Sequence, residues 1–241
     1  LSCLKIVVSS GVIWSQGVKE KMLEWLDATL IDGVGATEGP MALQISRRGQ
    51  AGASARFVPL AETRLFAEDG RAIPKSSDEP GLIAAGGPAI PAGYYKDPEK
   101  TAKTFRIVDG QRFAFIGDWG RWNPDGTMQL LGRGSACINT GGEKVYPEEV
   151  EHVLASHPDV ADCLVIGLPD ERFGQRVVAL VAARRTDAAL AAALPEFVQG
   201  KMAGYKRPRS FFEVEAVPRM PNGKADYKAA RAIAERLAQQ Q

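Results

Sequence analysis

Four separated stretches of this 241-residue sequence combine glycines with side chains able to bind or polarise anions. The first, Gly33-Val34-Gly35-Ala36-Thr37-Glu38-Gly39, reads as a glycine-rich turn after a strand. Glycines let backbone approach a ligand closely, the Thr37 hydroxyl can donate to a phosphate, and Glu38 can hold Mg²⁺ through oxygen. A strand-ending loop with a surface glutamate is the competing reading. The second stretch sets Asp118 between Gly117 and Trp119-Gly120 at an expected strand end, with Arg133 one hairpin later. That carboxylate can accept two hydrogen bonds from a ribose diol, and Arg133 can reach a phosphate or the same ribose. Alone, Asp118 reads as a turn-former; the nearby arginine gives it weight.

The third stretch, Ile138-Asn139-Thr140-Gly141-Gly142-Glu143-Lys144-Val145, contains paired glycines. They suit a ligand-gating loop and equally suit a plain tight hairpin. The fourth, Pro218-Arg219-Met220-Pro221-Asn222-Gly223-Lys224, is a proline-flanked loop that ends by presenting Lys224. A lysine held there can neutralise charge on a transferring phosphoryl or acyl-phosphate oxygen.

These groups need elements to position them. Leu4–Val8 predicts a buried strand ending at Ser9-Ser10-Gly11. A helix capped by Ser15 follows, with Val18, Met22, Trp25 and Leu26 as its apolar face, and Thr29–Asp32 predicts the next strand. This order is the α/β pattern. From Met41 onward, short strands at 55–60, 62–66 and 81–85 alternate with glycine and proline turns, which predicts a small, mostly antiparallel, barrel-like sheet. Asp97-Pro98 opens a helix to about Phe105, and hairpins turn at Asp109-Gly110 and at Asn123–Gly126. Beyond Gly132-Arg133 the texture becomes α+β. A helix starts at Pro147 with Val150, Val153 and Leu154 facing inward. Strands follow at 160–166, 177–182 and 211–214, a Pro195-interrupted helix runs from Asp187 to about Met202, and a terminal helix spans Tyr227–Ala238. The expected boundary therefore falls near 133–136. It separates residues 1–132, with 1–40 α/β and 41–132 mostly β, from a small α+β domain at 133–241.

Composition narrows the function classes. The 30 Lys+Arg and 29 Asp+Glu give a net charge of +1, spread evenly over both halves, which argues against a nucleic-acid partner. Hydrophobic residues at 45% and charged residues at 24% fit an ordinary globular chain. Cys3, Cys137 and Cys163 lack C-x-x-C spacing, which suits a reducing, cytoplasmic setting, and no apolar run reaches the ~20 residues of a membrane span. His152 and His157 read as surface or capping residues, not a metal pair. Lys201, Lys206, Arg207 and Arg209 read as a solvated basic face, with contact to ligand phosphates the competing reading, and the four tryptophans as packing residues.

In order and separation, the four stretches resemble the adenylate-forming (ANL) superfamily of acyl-CoA synthetases, luciferases and peptide-synthetase adenylation domains. Gly93-Tyr94-Tyr95-Lys96-Asp97-Pro98-Glu99-Lys100-Thr101 matches as well, and residues 132–151 look most like bacterial fatty-acyl-CoA synthetases. The resemblance implies a two-step ligase. ATP and a carboxylic acid give an acyl-adenylate and pyrophosphate, and CoA then displaces AMP; loading of a carrier protein is the alternative acceptor, and a non-catalytic interaction module the alternative class. By position, Gly35, Ala36 and Thr37 would meet the nucleotide, Thr37 contacting the α-phosphate. Glu38 would hold Mg²⁺, Asp118 the ribose hydroxyls and Arg133 the ribose or phosphates, while Lys224 would stabilise charge in adenylation. Gly141 and Gly142 would line the pantetheine path after rotation of a mobile small domain.

The chain departs from the family pattern in three places. Ala36 stands where many relatives carry an aromatic residue beside the adenine, and Ala136 where the family often has a hinge aspartate. The Ser/Thr/Gly-rich phosphate loop ending in Pro-Lys-Gly is absent, and the chain begins with Leu1 in an apolar run. The expectation is therefore the C-terminal part of a ligase, inactive alone, with its missing N-terminal portion as a partner.

Overall fold

A computed structural model describes residues 3–11, 14–184 and 190–240. The chain divides into two compact units, Leu1–Leu131 and Gly132–Gln241.

The first unit opens with β1 (Ile6–Ser10), α1 (Gln16–Trp25), β2 (Thr29–Ala36) and β3 (Gly39–Ser46). Ser15 caps α1 by accepting the Val18 N–H. The helix does not bury the face that its apolar spacing predicts. Lys19, Leu23 and Leu26 are buried, while Val18 and Trp25 are exposed, Trp25 at 86%. The reason is polar: the Lys19 ammonium donates to Gln44 and lies 3.5 Å from Asp32, so the helix turns its lysine inward.

The unit continues with β4 (Arg56–Pro59), β5 (Arg64–Phe66), β6 (Ala72–Ile73), β7 (Gly81–Gly86), α2 (Pro98–Thr104), β8 (Phe105–Val108), β9 (Gln111–Trp122) and the larger part of β10 (Met128–Arg133), whose last two residues fall in the second unit. Asp97 caps α2 by accepting the Lys100 N–H, with Pro98 at the first turn. Asp109 and Gly110, both at positive φ (49° and 76°), make the β8–β9 turn. β1 and β2 pair in parallel, whereas β2–β3, β3–β4, β4–β10, β5–β6, β5–β7, β7–β9 and β8–β9 pair antiparallel. The sheet runs in the order β1-β2-β3-β4-β10-β9-β7-β5-β6, with β8 on β9. This is an open ten-stranded sheet with β1 and β6 at its ends, not the closed form that "barrel-like" implies. Its core gathers Met41, Phe57, Leu65, Ile83, Trp122 and Met128. Trp119 and Trp122 are packing residues as expected, and the Trp122 indole N–H donates to the Ile73 carbonyl at 3.1 Å.

The second unit carries β11 (Ile138–Thr140), β12 (Glu143–Val145), α3 (Pro147–Ala155), β13 (Val160–Asp170), β14 (Gly174–Ala183), α4 (Leu190–Val198), β15 (Ser210–Glu213) and α5 (Tyr227–Ala238). Residues 187–189 of the expected fourth helix lie outside the described residues; α4 contains Pro195 and ends three residues later. β13 and β14 are apolar on both faces because helices cover both. Val165, Val177, Ala179 and Val181 pack with Val150 and Leu154 of α3 and Leu190 and Leu194 of α4. Leu164, Ile166, Val178 and Leu180 pack with Phe212 and with Ala230 and Ala234 of α5. At about 25 cal/mol per Å² of apolar surface removed from water, these two layers are the main stabilising term of the unit.

Candidate functional site

In the first unit, the glycine-rich stretch is mostly strand. Gly33–Ala36 complete β2, Ala36 pairs with Gly39, and only Thr37 and Glu38 form the connecting turn. A side chain at Gly35 would place its Cβ 3.0 Å from Pro40 Cα and 3.1 Å from the Gly39 carbonyl oxygen. The first service of that glycine is therefore to let the hairpin close. Thr37 is exposed and Glu38 half-buried.

The two turn residues are coupled. Thr37 Oγ1 donates to Glu38 Oε2 at 2.8 Å, and the Tyr94 hydroxyl donates to Glu38 Oε1. Above all it is the Tyr94 hydrogen bond that holds the Glu38 carboxyl below the usual carboxylate range; Thr37 and the charge of Lys100 add to it. The same bond raises the Tyr94 phenol. Lys100 Nζ sits 4.0 Å from the centre of the Tyr94 ring. Thr101 fixes the tyrosine backbone by accepting its N–H at 2.9 Å while donating to the Asp97 carbonyl at 2.7 Å. Tyr94 is thus a site residue to which the sequence reading gave no role. Its signal was the Gly93–Thr101 stretch, whose spacing places a phenol just before the α2 cap.

Asp118 lies inside β9, not at a strand end. Leu82 pairs with Trp119 and Ala84 with Phe115, so Ile116, Gly117 and Asp118 stand opposite the single residue Ile83. The extra residues form a bulge, a device that re-aims side chains in the middle of a sheet.

Arg133, Gly141, Gly142 and Lys224 belong to the second unit. Arg133 is exposed, and its backbone N–H donates to Glu148 Oε1 at 3.3 Å. Gly141 and Gly142, at φ 60° and 86°, form the two-residue turn between Thr140 and Glu143. The stretch forms a tight hairpin of the primed type that suits strand twist. It is pinned by the Gly141 N–H to the Phe173 carbonyl at 2.9 Å. The Arg172 and Arg209 guanidiniums lie 5.1 and 4.4 Å from the centre of the Phe173 ring. Lys206 leaves the expected solvated face: it is buried, and its ammonium meets Glu149 Oε1 at 2.6 Å.

Lys224 ends a small hairpin. Gly223 N–H donates to the Met220 carbonyl at 2.8 Å, Met220 N–H to the Lys224 carbonyl at 2.8 Å, and Lys224 N–H to Asn222 Oδ1 at 3.1 Å. Its side chain is exposed and has no hydrogen-bond or ion-pair partner among the described residues. His157 packs its ring 4.7 Å from that of Phe197 and accepts the Asp159 N–H at 3.2 Å, a structural role. Among the described residues no cluster of three His, Cys, Asp or Glu could hold a metal ion, and no helix is long and apolar enough to cross a membrane. None of the three cysteines forms a disulfide.

Residues 149–224 match the AMP-binding enzyme C-terminal domain. Over 234 residues the chain is 46% identical to a medium/long-chain-fatty-acid–CoA/3-oxocholest-4-en-26-oate–CoA ligase of Mycobacterium tuberculosis, covering 96% of this chain and 42% of that protein. It is 43% identical over 234 residues to the 3-oxocholest-4-en-26-oate–CoA ligase of Rhodococcus rhodochrous, with the same two coverages. Among solved structures, the anthranilate CoA ligase AuaEII in complex with anthranoyl-AMP superposes with a TM-score of 0.82 at 26% identity, over 98% of this chain and 45% of that one. The amide bond synthetase McbA from Marinactinospora thermotolerans gives 0.81 at 27%, over 96% and 47%. The chain spans less than half the length of the relatives it matches. Residues 149–224 thus belong to the AMP-binding enzyme C-terminal domain family, and over its length the chain corresponds to the C-terminal portion of adenylate-forming enzymes, fatty-acid CoA ligases among them.

Proposed function

We propose that this chain carries the nucleotide-facing and thiol-acceptor-facing groups of an acid–thiol ligase acting on medium- or long-chain carboxylic acids. In the first step a substrate carboxylate oxygen attacks the α-phosphorus of ATP, and pyrophosphate leaves. In the second, the CoA sulfur attacks the acyl carbon, AMP leaves and the thiol proton is lost to solvent. A cytoplasmic setting is part of this reading, as is a mobile second unit of residues 132–241.

The observation that carries the reading is the Thr37–Glu38 turn. Mg²⁺ bound next to substrate phosphates takes only one or two protein carboxylates, the rest being phosphate and water oxygens. Glu38 fits that demand: it is kept ionised, and its two oxygens accept one O–H each and keep lone pairs to spare. The ion, when bound, would neutralise charge on the phosphate oxygens. Thr37 swings its donor from Glu38 to the α-phosphate, next to the Gly35–Ala36 backbone. Asp118 accepts from the ribose hydroxyls, Arg133 donates to the ribose or phosphates, and Lys224 meets the charge that develops on the transferring group. Gly141 and Gly142 give pantetheine a side-chain-free edge. Phe173, flanked by two guanidiniums and bonded to that hairpin, offers a stacking surface and positive charge to the nucleotide end of CoA.

The test is a chimera in which this chain replaces the matching 42% of the M. tuberculosis ligase. The expected result is fatty-acid-dependent ATP–pyrophosphate exchange and acyl-CoA formation, with little exchange from this chain alone, since it has no Pro-Lys-Gly phosphate loop. A folded chimera that binds ATP and performs neither half-reaction overturns the proposal. Supplying a carrier protein in place of CoA decides the acceptor.

A further inference from the structure

The Lys224 loop is fastened to the sheet at both ends. Arg219 Nε and Nη2 donate to the two carboxylate oxygens of Asp162 at 2.7 and 2.6 Å, a bidentate pair with both side chains about one-third exposed. Its remaining nitrogen, Nη1, donates to the Gly223 carbonyl at 3.2 Å, the peptide group that precedes Lys224. Arg219 also bridges to Ala225 across the hairpin. One planar guanidinium therefore ties β13 to the residue immediately before the lysine.

The far end is held through Tyr227, the first residue of α5. Its hydroxyl lies 3.2 and 3.3 Å from the two oxygens of Glu151 on α3, and Glu151 also accepts the Val165 N–H at 2.8 Å. Asp162 and Val165 stand three residues apart on β13, so the segment 219–227 is stretched between two anchor points on one strand. Asp226 adds a third tie: its side chain caps α5 through the Ala229 N–H, and its own N–H donates to the Pro218 carbonyl at 3.2 Å.

We propose that Arg219 is a positioning residue: by clamping Asp162 and the Gly223 carbonyl together, it fixes the backbone from which Lys224 reaches the reacting groups. The proposal rests on the role given above to Lys224. It follows from the contrast between the base and the tip of that lysine. The tip must reach a charge that exists only during reaction and so is left without partners, whereas an unfixed base would let the loop wander and spoil the preorganisation on which electrostatic catalysis depends. Arginine suits the task because three donors of one rigid fork serve two acceptors at once, which a lysine cannot do.

The test has two arms. In ¹⁵N relaxation of the full chain, the Gly223 and Lys224 amides should have order parameters close to those of β13, near 0.85, and should fall below about 0.6 in Arg219→Gln with β13 unchanged. Arg219→Lys, which keeps the charge and so the fold, should loosen the same two amides. Amides already loose in the wild type, or as ordered in both variants, overturn the proposal. In the chimera, Arg219→Gln should lower kcat for adenylation about tenfold with KM for ATP unchanged, and should add nothing in a Lys224→Ala background. An additional loss in that background, or a loss confined to KM, also overturns it. If Lys224→Ala itself costs nothing, the role of Lys224 fails instead, and the relaxation arm still reports whether Arg219 fixes the loop.

Discussion

Two cation–carboxylate pairs stand in contrasting surroundings. In the first unit, Lys19 and Asp32 have side chains only 1% and 3% exposed, 3.5 Å apart, with Gln44 completing the group. Burial lowers the Lys19 ammonium and raises the Asp32 carboxyl, each partly offset by the partner's charge. In the second unit, Arg219 and Asp162 form a shorter, bidentate pair that water still reaches. A buried pair contributes little net stability while intact but is costly to break, since the survivor is an uncompensated charge; a wet pair costs little to break. The first pair therefore bears on whether the unit folds, and the second on where one loop stands.

The largest expected effect tests that contrast directly. Lys19→Ala should destabilise the first unit by about 3–5 kcal/mol, because Asp32 is left buried without a counter-charge; Arg219→Gln should cost under about 1 kcal/mol. Chemical denaturation of both variants checks this, and equal losses would contradict it.

Glu151 gives the next effect. Burial pushes its carboxyl from the ordinary 4.5 up to about 8, helped by Glu148 on its own helix and opposed by the Val165 N–H, the Tyr227 hydroxyl and Arg219; Cys163 faces it from β13. A raised acid binds more protons folded than unfolded, so its stabilising contribution is complete below about 4.5 and is lost as pH rises towards 8. Stability of the second unit should fall by a few kcal/mol across that window, each pH unit between the two midpoints being about 1.4 kcal/mol at most. Glu151→Gln should flatten the slope; a wild-type profile level from pH 5 to 8 would contradict the assignment.

Lys224→Ala in the chimera should slow adenylation by roughly 10²-fold or more, about 3 kcal/mol, while thioester formation from supplied acyl-adenylate changes far less. Equal losses in both half-reactions would remove the lysine from the first step. The smallest effect belongs to Tyr94→Phe, which strips one donor from Glu38. It should raise the Mg²⁺ concentration needed for exchange by about 10-fold, the lower end of what supporting partners of metal ligands cost, without a change in melting temperature. An unchanged Mg²⁺ requirement would show that Tyr94 does not orient Glu38.

Much of the fold was legible because local chemistry and final environment agree. Ser15 and Asp97 cap their helices, Asp109-Gly110 turns its hairpin, and Pro147 opens α3, each through contacts a few residues long. The face of α1 was not legible: Val18 and Trp25 have helical spacing, yet partners distant in sequence, Asp32 and Gln44, draw Lys19 inward. Asp118 was misplaced for a similar reason. A bulge in β9 is defined by its pairing with β7, which no window around Asp118 contains.

The inventory is written in the residues: a glycine-rich stretch ending in Thr37-Glu38, an aspartate beside glycines, paired glycines, and a lysine after Asn222-Gly223, in an order that resembles one superfamily. Such features are short, so chain chemistry alone specifies them. Which groups support them emerges on folding. Tyr94 reaches Glu38 across 56 residues, and Arg219 reaches Asp162 across 57. Both contacts join segments that become neighbours only when apolar burial has assembled the sheets. The spacing of a motif is set along the chain, whereas the charge and rigidity of the groups in it are set by what folding brings alongside.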